Sequence, residues 1–134
     1  MKKTFLYEDH LSHDAKMVDF SGWSMPINYG SQIDEHHQVR NDVGIFDVSH
    51  MSIFKISGQN AESYLRYIFS NDVKKISSKN KAIYGLLLNE NAGIIDDLIV
   101  YCLEGDFMIV SNCATKEKNE AWYQKHASEF DVSV

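Results

Sequence analysis

The sequence predicts an α+β fold, a mainly antiparallel sheet with flanking helices, and three observations predict it. Ala61, Tyr64, Leu65, Ile68 and Phe69 fall at i, i+3, i+4, i+7 and i+8, the spacing of an amphipathic helix. Three apolar runs, residues 83–88, 94–103 and 107–110, are separated by short segments that each contain a glycine, which suits antiparallel hairpins. From residue 52 onward the order reads strand, helix, three strands, helix, strand, a mixed rather than an alternating βαβ pattern.

The elements follow in order. Residues 5–16 read as a short helix with apolar Phe5, Leu6 and Leu11 at mixed spacing. Met17-Val18-Asp19-Phe20 is too short to assign, and Ser21-Gly22-Trp23-Ser24-Met25-Pro26 reads as a turn-rich loop around the only proline. Ser31 has the chemistry of an N-cap, with Asp34 three residues on in the place of the usual capping-box Glu. The helix it opens runs through Val39 and stops before Gly44. Residues 52–57 form a strand ending at Gly58. After the amphipathic helix comes a polar loop, 70–81, and then the three hairpin strands. A last helix spans about 115–127, and Val132-Ser133-Val134 begins another strand. We divide the chain into an N-terminal helical and loop segment, 1–50, and an α+β domain, 51–134. Because the chain stops within an apolar stretch, we expect this second domain to be truncated.

Composition narrows the function. The chain has 134 residues, 44% hydrophobic and 24% charged, an ordinary balance for a globular protein. No run approaches the ~20 apolar residues that span a bilayer, so no membrane partner is expected. A net charge of −6 argues against nucleic acid as a partner. The only dense basic run, from Lys74-Lys75 to Lys79-Asn80-Lys81, reads as a solvated loop. Cys102 and Cys113 lack CxxC spacing, which suits a reducing cytoplasm, and Cys113 reads as a buried, inert thiol. Glu35-His36-His37 and His50 match no zinc spacing, so no metal site is assigned.

The informative segment is Gly93-Ile94-Ile95-Asp96-Asp97-Leu98-Ile99-Val100-Tyr101. Side chains alternate across a strand, so Asp96 and Asp97 face opposite ways, each on an otherwise apolar face. At least one is expected to reach a partly buried surface, where a carboxylate needs a partner or a shifted pKa. The other reading places both at a wet strand start beside the hairpin. From the residues alone, the chemistry stops there.

Several segments in order resemble the aminomethyltransferase family, the T-proteins of glycine cleavage. They are Ala15-Lys16-Met17-Val18-Asp19-Phe20, Gly22-Trp23-Ser24-Met25-Pro26, Tyr29-Gly30-Ser31-Gln32-Ile33, Glu35-His36-His37, Val39-Arg40 with Asp42, Gly44-Ile45-Phe46-Asp47-Val48-Ser49-His50-Met51, the segment 93–100, and Val110-Ser111-Asn112. The resemblance covers nearly the whole chain. It implies the N-terminal part of a three-domain, cloverleaf-like fold with a central folate channel. It also implies transfer of a one-carbon unit from the aminomethyl-lipoyl arm of the H-protein to tetrahydrofolate, with release of ammonia. The family's key carboxylate maps onto Asp97, which would hydrogen-bond the pterin and stabilise iminium-like charge near the transferred carbon. Met51, Tyr84, Val110 and Asn112 match positions that line the family's folate pocket. Three departures stand out: Thr4-Phe5-Leu6-Tyr7 lacks the family's proline, Ala92-Gly93 replaces a glycine pair, and family members are more than twice as long. The resemblance therefore implies a chain inactive alone, needing a complementing chain, or associating as a homo-oligomer through its open apolar faces. The alternatives are a non-catalytic remnant that binds folate or the H-protein, and a product of gene decay.

Overall fold

The structure is a computed structural model that describes residues 1–76 and 81–134. Part of the basic run, Lys79 and Asn80, lies outside the described residues. The chain divides into two compact units, Met1–His50 and Met51–Val134.

The first unit holds β1 (Lys2–Lys3), α1 (Tyr7–Ser12), β2 (Lys16–Phe20), β3 (Trp23–Asn28) and α2 (Gln32–Asn41). Its strands form one sheet in the order β1-β3-β2. This corrects the helical and loop reading of 1–50, because the segment expected to be a turn-rich loop is mostly strand. The turn is confined to Ser21-Gly22, both at positive φ (54° and 82°), between the paired Phe20 and Trp23. That is the geometry of a two-residue hairpin, and the Asp19 carboxylate accepts from Gly22 N at 2.8 Å. Pro26 pairs with Met17 beside an irregularity at Lys16, a position where a strand tolerates proline. The helix expected over 5–16 shrinks to six residues, since Asp14 is left-handed (φ 56°) and Lys16 already starts β2. Ser31 caps α2 as predicted, its Oγ accepting from Asp34 N at 3.2 Å.

The second unit holds β4 (Ser52–Ile56), α3 (Ala61–Ile68), a 3-10 turn (Val73–Ile76), β5 (Ala82–Leu88), β6 (Ile94–Cys102), β7 (Phe107–Ser111) and α4 (Lys116–Phe130). The four strands are all antiparallel, in the order β4-β7-β6-β5. The helical stripe read from sequence is the buried face of α3: Ala61, Tyr64, Leu65 and Ile68 are all buried. With Tyr123 and Ala127 of α4 they pack on Phe54, Ile56, Leu87, Leu98, Val100 and Ile109 of the sheet. Burying one such aliphatic side chain stabilises by about 1.5–3 kcal/mol. The Tyr64 hydroxyl, wholly inside, donates to Tyr123 O at 2.9 Å, so the core leaves that group paired. Gly85 is where Phe69 fits: a Cβ there would lie 2.5 Å from the Phe69 ring. The strand expected at 132–134 is a single bridge, Ser57 to Ser133. Cys102 is buried and Cys113 only half-buried, both as free thiols.

The β5–β6 hairpin turn is built by Asn89. Its side-chain oxygen accepts from Asn91 N (3.0 Å) and Gly93 N (2.8 Å). Ala92, the departure from the family's glycine pair, has φ 61°. A residue with a Cβ holds that conformation at a cost of about 1 kcal/mol.

Candidate functional site

The hairpin register decides which aspartate faces which side. Leu98 pairs with Ser111 and Leu87 with Asp96, so Asp96 shares the helix-covered face with Leu98 and Val100. Asp97 shares the opposite face with Ile99 and Tyr101, none of which belongs to the buried core among the described residues. Across that open face, Ile53, Val110, Ile99 and Tyr84 form one register row. The next row runs through Asp97 and Leu86, with Asn112 and Met51 just beyond the paired Ser111 and Ser52. The five residues singled out by resemblance, Met51, Tyr84, Asp97, Val110 and Asn112, therefore fall on two adjacent rows of one face. Ile53, Leu86 and Ile99 complete those rows, and sequence reading missed them. Strand alternation read across three paired strands was the signal that could have found them.

The two carboxylates sit in different surroundings. Asp96 is 6% exposed. It accepts from Asn112 Nδ2 (2.8 Å) on one oxygen, and from Thr115 Oγ1 (2.6 Å) and Asn119 Nδ2 (2.5 Å) on the other. Burial opposes its charge, but the bonds from Thr115, Asn112 and Asn119 outweigh burial and hold its pKa below the ordinary carboxylate value. Thr115 and Asn119 stand one turn apart at the start of α4, so Asp96 ties that helix to β6. Asp97 is exposed and has a donor on each oxygen: Asn112 Nδ2 at 3.0 Å and the Tyr84 hydroxyl at 3.3 Å. Desolvation, and then the Asp97 charge and hydrogen bond, raise the Tyr84 pKa, so the phenol keeps its proton and remains a donor. The expectation that one carboxylate is buried and partnered thus holds for Asp96. The resemblance marks its neighbour. The two arguments select different residues.

Among the described residues, no group of three or more His, Cys, Asp or Glu side chains is arranged to hold a metal ion. No helix among them is long and apolar enough to cross a membrane. A cleft of about 270 Å³ lies elsewhere in the second unit, lined by Tyr67, Phe69, Leu88, Trp122 and His126 among others, and holds none of the five. What the open face offers is a fixed, exposed carboxylate at the margin of an apolar platform. Such an arrangement has the chemistry to suit a flat, partly polar ligand.

Comparison with known proteins shows what the chain as a whole is similar to. The family model described as the GCVT N-terminal domain matches residues 6–134. The chain is 56% identical over 135 aligned residues to an aminomethyltransferase of Francisella tularensis, covering 100% of this chain and 37% of that protein. It is 52% identical to an aminomethyltransferase of Alcanivorax borkumensis, covering 98% and 36%. The crystal structure of glycine cleavage system aminomethyltransferase T from Bartonella henselae superposes with a TM-score of 0.89 at 36% identity, over 98% of this chain and 37% of that one. The chain belongs to the GCVT N-terminal domain family. It spans little more than a third of the length of these relatives.

Proposed function

We propose that this chain supplies the folate-facing sheet of a tetrahydrofolate-dependent aminomethyltransferase of glycine cleavage. The supporting observation is the doubly anchored Asp97 carboxylate among apolar side chains of the open face, in a chain matched end to end by aminomethyltransferases. The face fits a folate: Met51, Ile99 and Val110 offer packing for flat rings, and the polar groups are few and convergent. When bound, tetrahydrofolate supplies the nitrogen that receives the one-carbon unit. Asp97 stabilises positive charge that develops beside it, and Tyr84 and Asn112 hold that carboxylate in one orientation so that little reorganisation accompanies the charge. The donor of the carbon is the lipoyl arm of the H-protein, and the released nitrogen leaves as ammonia. The two free thiols are in keeping with a reducing cytoplasm.

Because the chain covers 37% of its relatives, we expect negligible turnover from it alone, and association with a complementing chain or with further copies through the open face. Isothermal titration of the chain with tetrahydrofolate, beside Asp97→Asn, tests the site. Binding lost in the variant is expected. Equal binding by both proteins would remove Asp97 from the site.

A further inference from the structure

The first unit contains a hydrogen-bonded chain of three side chains, two of them buried, that the proposed function leaves unused. His10, on α1, is 6% exposed. Its Nε2 lies 2.9 Å from Asp47 Oδ2 and its Nδ1 lies 2.7 Å from the Tyr29 hydroxyl. The Asp47 side chain is 2% exposed, and its other oxygen accepts from Ser49 N at 2.9 Å. Tyr29 follows β3 and remains 46% exposed, so one end of the chain reaches solvent. Burial opposes the charge on Asp47, but hydrogen bonds, those from Ser49 and His10 among them, outweigh it and hold the carboxyl well below the usual range.

The proton positions follow. An ionised Asp47 only accepts, so His10 Nε2 carries a hydrogen. With the imidazole neutral, Nδ1 is a lone pair and the Tyr29 O–H must point inward to it. The outward side of the phenolic oxygen then offers lone pairs alone. Protonating Nδ1 reverses the bond: Nδ1–H donates to the phenolic oxygen, and the hydroxyl hydrogen turns outward. Burial, and then Asp47 and Glu35, raise the Tyr29 pKa, so the phenol does not ionise instead. The elements carrying these side chains bring Glu8 and Asp9 on α1, with His13 just after it and Lys3 of β1 ion-paired to Glu8 at 3.9 Å, and Glu35 of α2, whose carboxylate accepts from Tyr29 N at 2.6 Å; β3 brings no charge.

We propose that Tyr29, His10 and Asp47 form a proton-gated hydrogen-bonding site. Its exposed phenolic oxygen accepts from a ligand N–H or O–H while His10 is neutral, and donates to a ligand carbonyl or carboxylate once His10 is protonated. The inference does not depend on folate binding. The test is a pH titration of the full chain by NMR, following the His10 ring nitrogens and the Tyr29 ¹³Cζ. While the ring is neutral, His10 is expected in the Nε2–H tautomer. On acidification, Tyr29 ¹³Cζ should shift with the same midpoint as His10 Nδ1, and His10→Gln should abolish that step. Tyr29→Phe should leave the tautomer unchanged, because Asp47 sets it. A Tyr29 signal flat through the His10 transition, a Tyr29 step that survives in His10→Gln, or an Nδ1–H tautomer of the neutral ring would overturn the proposal.

Discussion

The two faces of the four-stranded sheet are made from the same strands and alternate residues, yet they do opposite work. On the covered face, Leu98, Val100 and Ile109 are at most 3% exposed, and even the carboxylate of Asp96 is enclosed by three donors. On the open face, Ile53 is 65% and Tyr84 58% exposed, and Asp97, itself exposed, has one donor on each oxygen. Two adjacent aspartates therefore divide the labour: one secures a helix and the other is left available. Residue type alone could not make that assignment. Strand parity and the covering helices do.

Substitutions on the two faces should separate cleanly. The largest effect is expected from Leu65→Ala under the covered face, a loss of about 3–4 kcal/mol in urea unfolding, since a cavity forms where the side chain is wholly enclosed. Asp96→Ala should cost about 2–3 kcal/mol, because Asn112, Thr115 and Asn119 lose their acceptor. A loss below about 0.5 kcal/mol would show that Asp96 secures nothing.

Acid titration sharpens the same contrast. The folded-state pKa of Asp96 is lowered, so its stabilisation is complete above the unfolded carboxylate value of about 3.9 and is lost as pH falls through the folded value. Chemical unfolding of Asp96→Asn below about pH 4 should therefore depend less steeply on pH than the parent. Asp97→Ala should change stability by less than about 0.5 kcal/mol, as an exposed position usually does, while removing folate affinity. If stability and binding fell together in this variant, the division between the faces would fail.

The smallest expected effect concerns the turn that fixes strand parity. Ala92→Gly should stabilise by about 0.5–1 kcal/mol by relieving a left-handed alanine, without exchanging the two aspartates, since a one-residue slip would turn every side chain over. Amide hydrogen exchange at Asp96 and Asp97 would report any change of pairing.

Much of this arrangement was legible in the sequence. The α3 stripe, the three hairpin strands and the Ser31 cap are local signals, and each appears where periodicity or capping chemistry put it. The β2–β3 hairpin was not legible, because its turn is only Ser21-Gly22 and Pro26 inside β3 reads as a strand breaker. Of the candidate site, the aspartate pair stood out, but the choice between its members did not. That choice depends on α4, whose Thr115 and Asn119 close over Asp96 from about twenty residues away.

The placement of β4 beside β7 also has a kinetic consequence. Its hydrogen-bonding partner is made some fifty residues later, as the last strand of the β5–β6–β7 meander, so β4 emerges from the ribosome with nothing to pair with. Non-local pairing of this kind delays folding, because the intervening chain must be gathered before any contact offsets its lost entropy. The β5–β6–β7 meander can form on its own and already contains Tyr84, Asp97, Val110 and Asn112. If β4 docks last, Met51 and Ile53 join the face after Tyr84, Asp97, Val110 and Asn112 are already in register.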